Sequence, residues 1–454
     1  MNIINPATEE LIATITEDDQ KTIAKKISSL QQAQKAWNDT ELPVRITILQ
    51  RFAILLKENI ESCAAILTSE TGKPLQQSRN EVNGACARID WLTANAEKYL
   101  SPEWMVEDGG TREKIVYEPL GVIANISAWN YPYLVGTNVF VPALLAGNAV
   151  LYKPSELATL TGLQIEKYLQ EAGVPANIFQ TAIGAKETGE LILNAGLDGY
   201  FFTGSYKTGK YIYEKLSTKM VPCGLELGGK DPLYVTDDIA DVEAVAAGTA
   251  DGAFYNNGQS CCSVERIYVH EKVYDDYIAA FVKEVQSYHI GLPTEDNVYI
   301  AALTRKEQIP FLTAQVTDAL NKGATLLSGG HCINRPGNYF APTVLVNVTH
   351  DMDIMREESF GPVIGIMKVS NDAEAIQLMN DTVYGLTASV YSSDASRAYA
   401  IQNQLNAGTV YWNCCDRVSP SLPWSGRKHS GFGSTLSHAG LRAFTRPKAY
   451  HLRG

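Results

Sequence analysis

The chain has 454 residues, of which 45% are hydrophobic and 19% charged, and 50 acidic against 38 basic side chains leave a net charge of −12 at pH 7. Such a length requires two or three structural units, and the composition is that of a chain folded throughout, not of a disordered one. The acidic balance works against an electrostatic grip on nucleic acid or an anionic membrane, so neither is expected as a partner.

At the amino terminus, Met1-Asn2-Ile3-Ile4-Asn5-Pro6 shows no basic leader ahead of an apolar stretch, and no later segment reaches the roughly 18 uninterrupted apolar residues of a membrane span. A cytosolic location is expected. Apolar residues at three- and four-residue spacing predict helices over 21–37 and 46–69, the second stopped by Gly72-Lys73-Pro74, and a third over 81–99. Short β-type runs follow at 114–117 and 121–126, separated by Glu118-Pro119, where proline interrupts regular pairing. From 122 to about 235 strands (122–126, 149–152, 199–202) alternate with helices (136–146, 160–172, 208–216), a pattern that predicts a parallel, doubly wound sheet. A second mixed region, about 238 to 418, has a helix at 240–253 and strands at 266–269 and 363–367, and predicts a second α/β domain. The Gly- and Pro-rich stretch 419–433 reads as a long functional loop.

The eight cysteines include no C-x-x-C and no pair with a nearby His, and the chain holds no His-x-x-x-His. Structural zinc and redox-dithiol readings therefore lack ligands at usable spacing, and reduced cysteines with no metal are expected. Two cysteines stand out in Phe254-Tyr255-Asn256-Asn257-Gly258-Gln259-Ser260-Cys261-Cys262, where they follow a polar turn instead of lying within an apolar run. A thiolate there could attack a carbonyl carbon. The same residues would also serve as two small buried hydrophobes, and local sequence does not choose between Cys261 and Cys262.

This segment resembles the active-site cysteine signature of the aldehyde dehydrogenase superfamily, and companion motifs appear in order. Gly224-Leu225-Glu226-Leu227-Gly228-Gly229-Lys230 resembles its general-base motif, Ser127-Ala128-Trp129-Asn130-Tyr131-Pro132 its oxyanion-site motif, and Glu357-Glu358-Ser359-Phe360-Gly361-Pro362 its nicotinamide-side motif. The resemblance implies Cys261 as nucleophile, Glu226 as the base that activates water, and Asn130 as the amide that, with the Cys261 N–H, stabilises the oxyanion. It implies oxidation of an aldehyde to an acid through a thiohemiacetal and a thioester. Two alternatives that keep the fold remain: an acylating enzyme that passes the thioester to coenzyme A or runs in reverse as a reductase, and a binding or structural protein without turnover.

For the cofactor, strand 199–202 runs into Thr203-Gly204-Ser205-Tyr206-Lys207-Thr208-Gly209 and then a helix, so a glycine turn and a helix start meet where a diphosphate could bind. By resemblance, Gly204, Ser205 and Gly209 belong to this turn, and Trp129 joins the cofactor site. Lys153 and Glu156 would contact the adenosine ribose, Glu358 the nicotinamide ribose, and Phe360 would pack against the nicotinamide side. A carboxylate at Glu156 accepts bonds from ribose hydroxyls and repels a 2′-phosphate, so NAD is expected over NADP.

The substrate is less defined. Family members acting on succinate semialdehyde commonly carry an Arg where this chain has Asn138, which removes that anion clamp unless another Arg, such as Arg417, replaces it. Tyr131, Tyr255 and Trp424 match aromatic positions that attract cationic aldehydes in other members, and Ser260 completes the expected pocket. The resemblance also implies two doubly wound Rossmann-like domains and a small β oligomerisation arm. These are a cofactor domain at 1–100 and 120–228, a catalytic domain at 229–430, and an arm at 101–119 and 431–454 whose strand edges would pair in a homodimer or homotetramer.

Overall fold

The computed structural model describes residues 1–108 and 110–453. A small hairpin, β1 (Asn2–Ile4) with β2 (Leu11–Thr14), precedes four helices: α1 (Gln20–Asn38), α2 (Leu42–Glu58), α3 (Ile60–Thr71) and α4 (Leu75–Leu100). The single helix expected over 46–69 is thus two. Asn59 breaks it at φ −115°, ψ 25°, and its own Nδ2 donates to the Leu55 carbonyl at 2.8 Å, which ends α2, while its carbonyl accepts from Cys63 N to open α3. Apolar spacing continues across the break, so periodicity could not reveal it. Helix α4 starts directly after Pro74, six residues before the predicted start at 81.

Two antiparallel strands follow, β3 (Glu103–Asp108) and β4 (Thr111–Pro119). Pairing persists through Pro119, which lies opposite Thr445 at the strand end, where a missing N–H leaves nothing unsatisfied; the expected interruption is instead the end of a strand. The next strands are β5 (Val122–Ile126), β6 (Ala149–Lys153), β7 (Phe179–Thr181), β8 (Gly199–Thr203) and β9 (Cys223–Glu226). Helices α5 (Pro132–Leu145), α6 (Thr159–Ala172), α7 (Lys186–Asn194) and α8 (Tyr206–Leu216) alternate with them. All pair in parallel in the order β9-β8-β5-β6-β7. The chain leaves β5 first toward β6 and later returns to β8 on its other side, so the strand order reverses between β5 and β8, where such sheets open a crevice at their carboxyl ends.

A second sheet has seven strands, β10 (Asp231–Val235), β11 (Val264–His270), β12 (Thr325–Ser328), β13 (Thr343–Val346), β14 (Val363–Val369), β15 (Thr387–Tyr391) and β16 (Thr409–Trp412). They run in the order β12-β13-β14-β11-β10-β15-β16, parallel except for β12. Helix α9 (Val242–Phe254) connects β10 to the turn that carries Cys261. Its first strand starts at 231, earlier than the mixed pattern indicated.

The end of the chain divides its residues between two structures. β17 (Gly431–Phe432) adds antiparallel to β9, so the six-stranded sheet is closed at that edge by the segment that follows the 419–430 loop. The short helix Ser437–Arg442 packs on α4 and α5, with Leu441 and Phe444 in the core beneath the first sheet. Only β18 (Thr445–Arg453) joins β4 and β3 in the three-stranded arm, so residues 431–442, expected in the arm, lie against the first sheet instead. Among the described residues, no helix is long and apolar enough to cross a membrane.

Candidate active site

The turn that carries Cys261 is set by backbone conformations that few residues adopt. After α9, Asn256 (φ 52°), Asn257 (φ 56°) and Gly258 (φ 69°) are all left-handed, a region open to glycine and tolerated by asparagine. A Cβ at Gly258 would stand 2.3 Å from the Gly361 carbonyl, so glycine is also the only residue that fits. Side-chain amides fasten the turn: Asn257 bonds Ala301 N and the Ala302 carbonyl at 2.9 and 3.0 Å, and Gln259 accepts from Thr304 N at 3.0 Å.

The two cysteines touch one another but differ in exposure. Cys261 is half-buried and borders a cleft of about 980 Å³. Its N–H meets no hydrogen-bond acceptor among the described residues. Cys262 is buried among Leu386, Trp424 and Leu436, and its Sγ donates to Asp416 Oδ1 at 2.9 Å. A contact with Cys261, followed by burial, holds the Cys262 thiol above its ordinary range.

Strand ends converge on the same cleft. Trp129 and Asn130 follow β5, Lys153 ends β6 with Glu156 just beyond, Gly204 and Ser205 follow β8, and Glu226 ends β9. Ser205 caps α8, its Oγ accepting from Thr208 N at 3.4 Å. Gly209 does not border the cleft; it is buried in the first turns of α8, where a Cβ would strike Leu227 at 2.4 Å, so its small size serves helix–strand packing.

Glu226 carries a buried Oε2 with no hydrogen-bond partner among the described residues, and burial, then the nearby Cys261, hold its carboxyl well above the usual range. On the facing wall, Glu358 accepts from Gly229 N at 3.1 Å, and a Cβ at Gly228 would meet its carboxylate at 2.2 Å. Burial, then the charge of Glu265, push Glu358 up to about 8. Phe360 takes φ 48°, an uncommon conformation held because Glu265 accepts from the N–H of Ser359 and of Phe360 while pairing with Lys230 at 2.7 Å. Its ring meets Trp129 edge-on at 5.5 Å.

Asn130 is held from behind. Its Nδ2 donates to the Gln259 carbonyl at 3.1 Å, and its own carbonyl accepts from Lys73 Nζ at 2.7 Å. Lys73 is fully buried and paired with Glu81, which also accepts from Tyr133 N at 2.9 Å. Sequence reasoning used Lys73 only as part of a helix stop and missed this support. Its signal was a lysine and a glutamate eight residues apart, Lys73 in the buried turn between Gly72 and Pro74 and Glu81 on the buried face of α4.

The expected substrate residues do not border the cleft. Ser260 Oγ sits 3.4 Å from Cys262 Sγ, and Trp424 packs against Cys262. The Tyr131 ring lies under Lys73 at 3.9 Å, and Tyr255 OH accepts from Asn80 at 3.1 Å. Asn138 is buried and accepts from Arg88 Nη1 at 2.9 Å. Arg417 is exposed. Sequence reasoning also missed Arg88 and Asp416. Arg88 had a visible signal, a charge on the apolar face of α4 between Ala85 and Leu92.

Residues 1–450 match the profile of the aldehyde dehydrogenase family. Over 446 residues the chain is 32% identical to a succinate-semialdehyde dehydrogenase [NADP(+)] of Deinococcus radiodurans, covering 98% of this chain and 93% of that protein. It is 33% identical over 455 residues to a betaine aldehyde dehydrogenase of Sinorhizobium fredii, covering 99% of this chain and 93% of the relative. The structure superposes on that of betaine aldehyde dehydrogenase from Staphylococcus aureus in complex with NAD+ with a TM-score of 0.96 at 30% identity, covering 100% of this chain and 92% of that one. With profile, relatives and superposed structure all in agreement, the chain belongs to the aldehyde dehydrogenase family.

Proposed function

We propose that this protein oxidises an aldehyde to a carboxylic acid through a thioester on Cys261, with NAD as the preferred cofactor. The observation that carries the reading is the meeting of Cys261, Asn130 and the unpartnered carboxylate of Glu226 on one cleft.

In this reading, the Cys261 thiolate forms a C–S bond to the aldehyde carbon while the carbonyl π pair moves onto oxygen. The Asn130 amide and the free Cys261 N–H face that oxyanion; one such donor contributes about 3–4 kcal/mol. A nicotinamide dinucleotide, when bound, supplies the hydride acceptor that turns the thiohemiacetal into a thioester. Glu226 then takes a proton from water as its oxygen bonds to the acyl carbon, and the C–S bond breaks to release acid and thiolate. A base with a raised pKa suits that step. Transfer to coenzyme A needs no such base, so a half-buried Glu226 whose buried Oε2 has no partner among the described residues, beside Cys261, favours hydrolysis.

The cleft fits a dinucleotide. The amino terminus of α8, with Gly204 and Ser205 ahead of it, offers N–H groups to a diphosphate, Lys153 and Glu156 lie at the end of β6 for a ribose, and Glu358 with Phe360 would hold the nicotinamide end. The exposed Glu156 favours NAD by repelling a 2′-phosphate. We also propose assembly through the arm, whose β3 edge exposes Trp104 (40%) and Met105 (60%).

The test is NADH formation with succinate semialdehyde, an aminoaldehyde, betaine aldehyde, benzaldehyde and a short aliphatic aldehyde, with products analysed in the presence and absence of coenzyme A. Free acid without coenzyme A is expected. An acyl-coenzyme A product, or no NADH from any of them, would overturn the reading.

A further inference from the structure

Arg88 is the residue on the far side of Cys261 that the chain itself leaves incomplete. It lies within α4, 7% exposed, and its one hydrogen bond among the described residues runs to the neutral amide of Asn138 at 2.9 Å. It forms no ion pair among the described residues, although a guanidinium offers five donors and buried charges are normally paired. Burial pulls its pKa down to about 10, still high enough to keep it charged at neutral pH.

The neighbouring carboxylates are committed elsewhere. Cys262, Glu81, Cys261 and Asp416 are all close enough to act on its charge. Glu81 pairs with Lys73 and accepts from Tyr133 N, while Asp416 accepts the Cys262 thiol and is held toward its neutral form by burial. The charge therefore sits close to Cys261 without a carboxylate bound to it. Asn138, which by itself removes the expected anion clamp, holds in place an arginine brought by the neighbouring helix.

We propose that Arg88, oriented by Asn138, receives a carboxylate at the far end of the aldehyde, so that the substrate is a short semialdehyde bearing a terminal carboxylate. This rests on the oxidation at Cys261 described above. The planar fork of arginine pairs two carboxylate oxygens at once, which gives both affinity and alignment of the aldehyde end.

The test compares kcat/KM for succinate semialdehyde and for its methyl ester in the wild type, Arg88→Met and Arg88→Lys, and measures how succinate slows alkylation of Cys261 by iodoacetamide, read by mass spectrometry. The wild type should favour the acid by roughly tenfold to a hundredfold, the size of a charge-assisted bond. Arg88→Met should bring that ratio close to one through a higher KM for the acid, Arg88→Lys should fall between, and succinate protection should weaken in the same order. A wild type with no preference for the acid, or no protection by succinate, overturns the assignment. So does an Arg88→Met protein that loses both substrates equally while the pH dependence of Cys261 alkylation moves, since the guanidinium would then serve the thiolate. Should Arg88→Met fail to fold, Arg88→Lys and the wild-type protection data decide. Oxidation of the ester without preference for the acid removes only Arg88, whereas no NADH from either compound or from any other aldehyde removes the oxidation itself.

Discussion

The cleft side of Cys261 is assembled from strand ends and a helix start: Asn130 after β5, Lys153 on β6, Gly204 after β8 and Glu226 on β9. The opposite side is assembled from side chains that meet across long stretches of sequence: Arg88 from α4, Asn138 from α5, and Asp416 and Trp424 from irregular segments near the second sheet. On the first side, chemistry is tied to backbone geometry, to tight turns and close approaches such as Gly228 against Glu358. On the second, it depends on which side chains happen to face one another, so a change there can alter the substrate without disturbing the fold.

Cys261 is where the two sides meet, and Cys261→Ala should break both. Turnover should fall by about 10⁴ or more, with no rapid release of NADH, because the covalent step is lost. Cys262→Ala provides the contrast: its thiol is buried and bonded to Asp416, away from the cleft. Rapid-mixing kinetics of the pair measure the division of roles, and a dead Cys262→Ala beside an active Cys261→Ala would reverse it.

Glu226→Gln separates the first half of the reaction from the second. A stoichiometric release of NADH should remain, while steady turnover slows by about 10²–10⁴. The base works only when ionised, and its carboxyl is held well above 4.5 by burial and Cys261, so hydrolysis-limited turnover should rise with pH through that raised value. The rise should vanish in Glu226→Gln. A pH profile that survives the substitution would assign the base elsewhere.

Asn130→Ala comes next, with an expected loss of about 10²–10³ in kcat from one oxyanion donor. The amide is positioned by Gln259 and by Lys73, itself paired with Glu81. Lys73→Met should therefore depress kcat in the same direction. It should also destabilise the protein by about 3–5 kcal/mol, because Glu81 would be left buried and unpaired, which thermal unfolding would show.

Much of the cleft side was legible in sequence because its constraints are local. The alternation of strands and helices marks the sheet, and short strings around Asn130, Glu226, Cys261 and Glu358 carry the turns that the backbone needs. The break at Asn59 was not legible, since apolar spacing runs through it and only a side-chain bond to Leu55 ends the helix. Nor was β17, a two-residue strand whose place depends on β9, some 200 residues earlier in the chain. The far side was read least well. Asn138 looked like the loss of a clamp because its partner, Arg88, lies 50 residues earlier, and no local pattern joins them.

The smallest effect tests the outer end of the cleft. Glu156 is exposed beside Ser155, whose Oγ lies 3.3 Å from its carboxylate, so its charge acts through water and salt. Glu156→Gln should raise kcat/KM for NADP relative to NAD by about threefold to tenfold, the size of one screened like-charge repulsion. The gain should shrink as ionic strength rises from 0.02 M toward about 0.5 M, because the Debye length falls below the reach of the interaction. A change of equal size at both salt concentrations would instead point to lost ribose hydrogen bonds, and no change would place cofactor choice on the neighbouring Lys153, whose buried ammonium has only the Pro154 carbonyl as partner among the described residues.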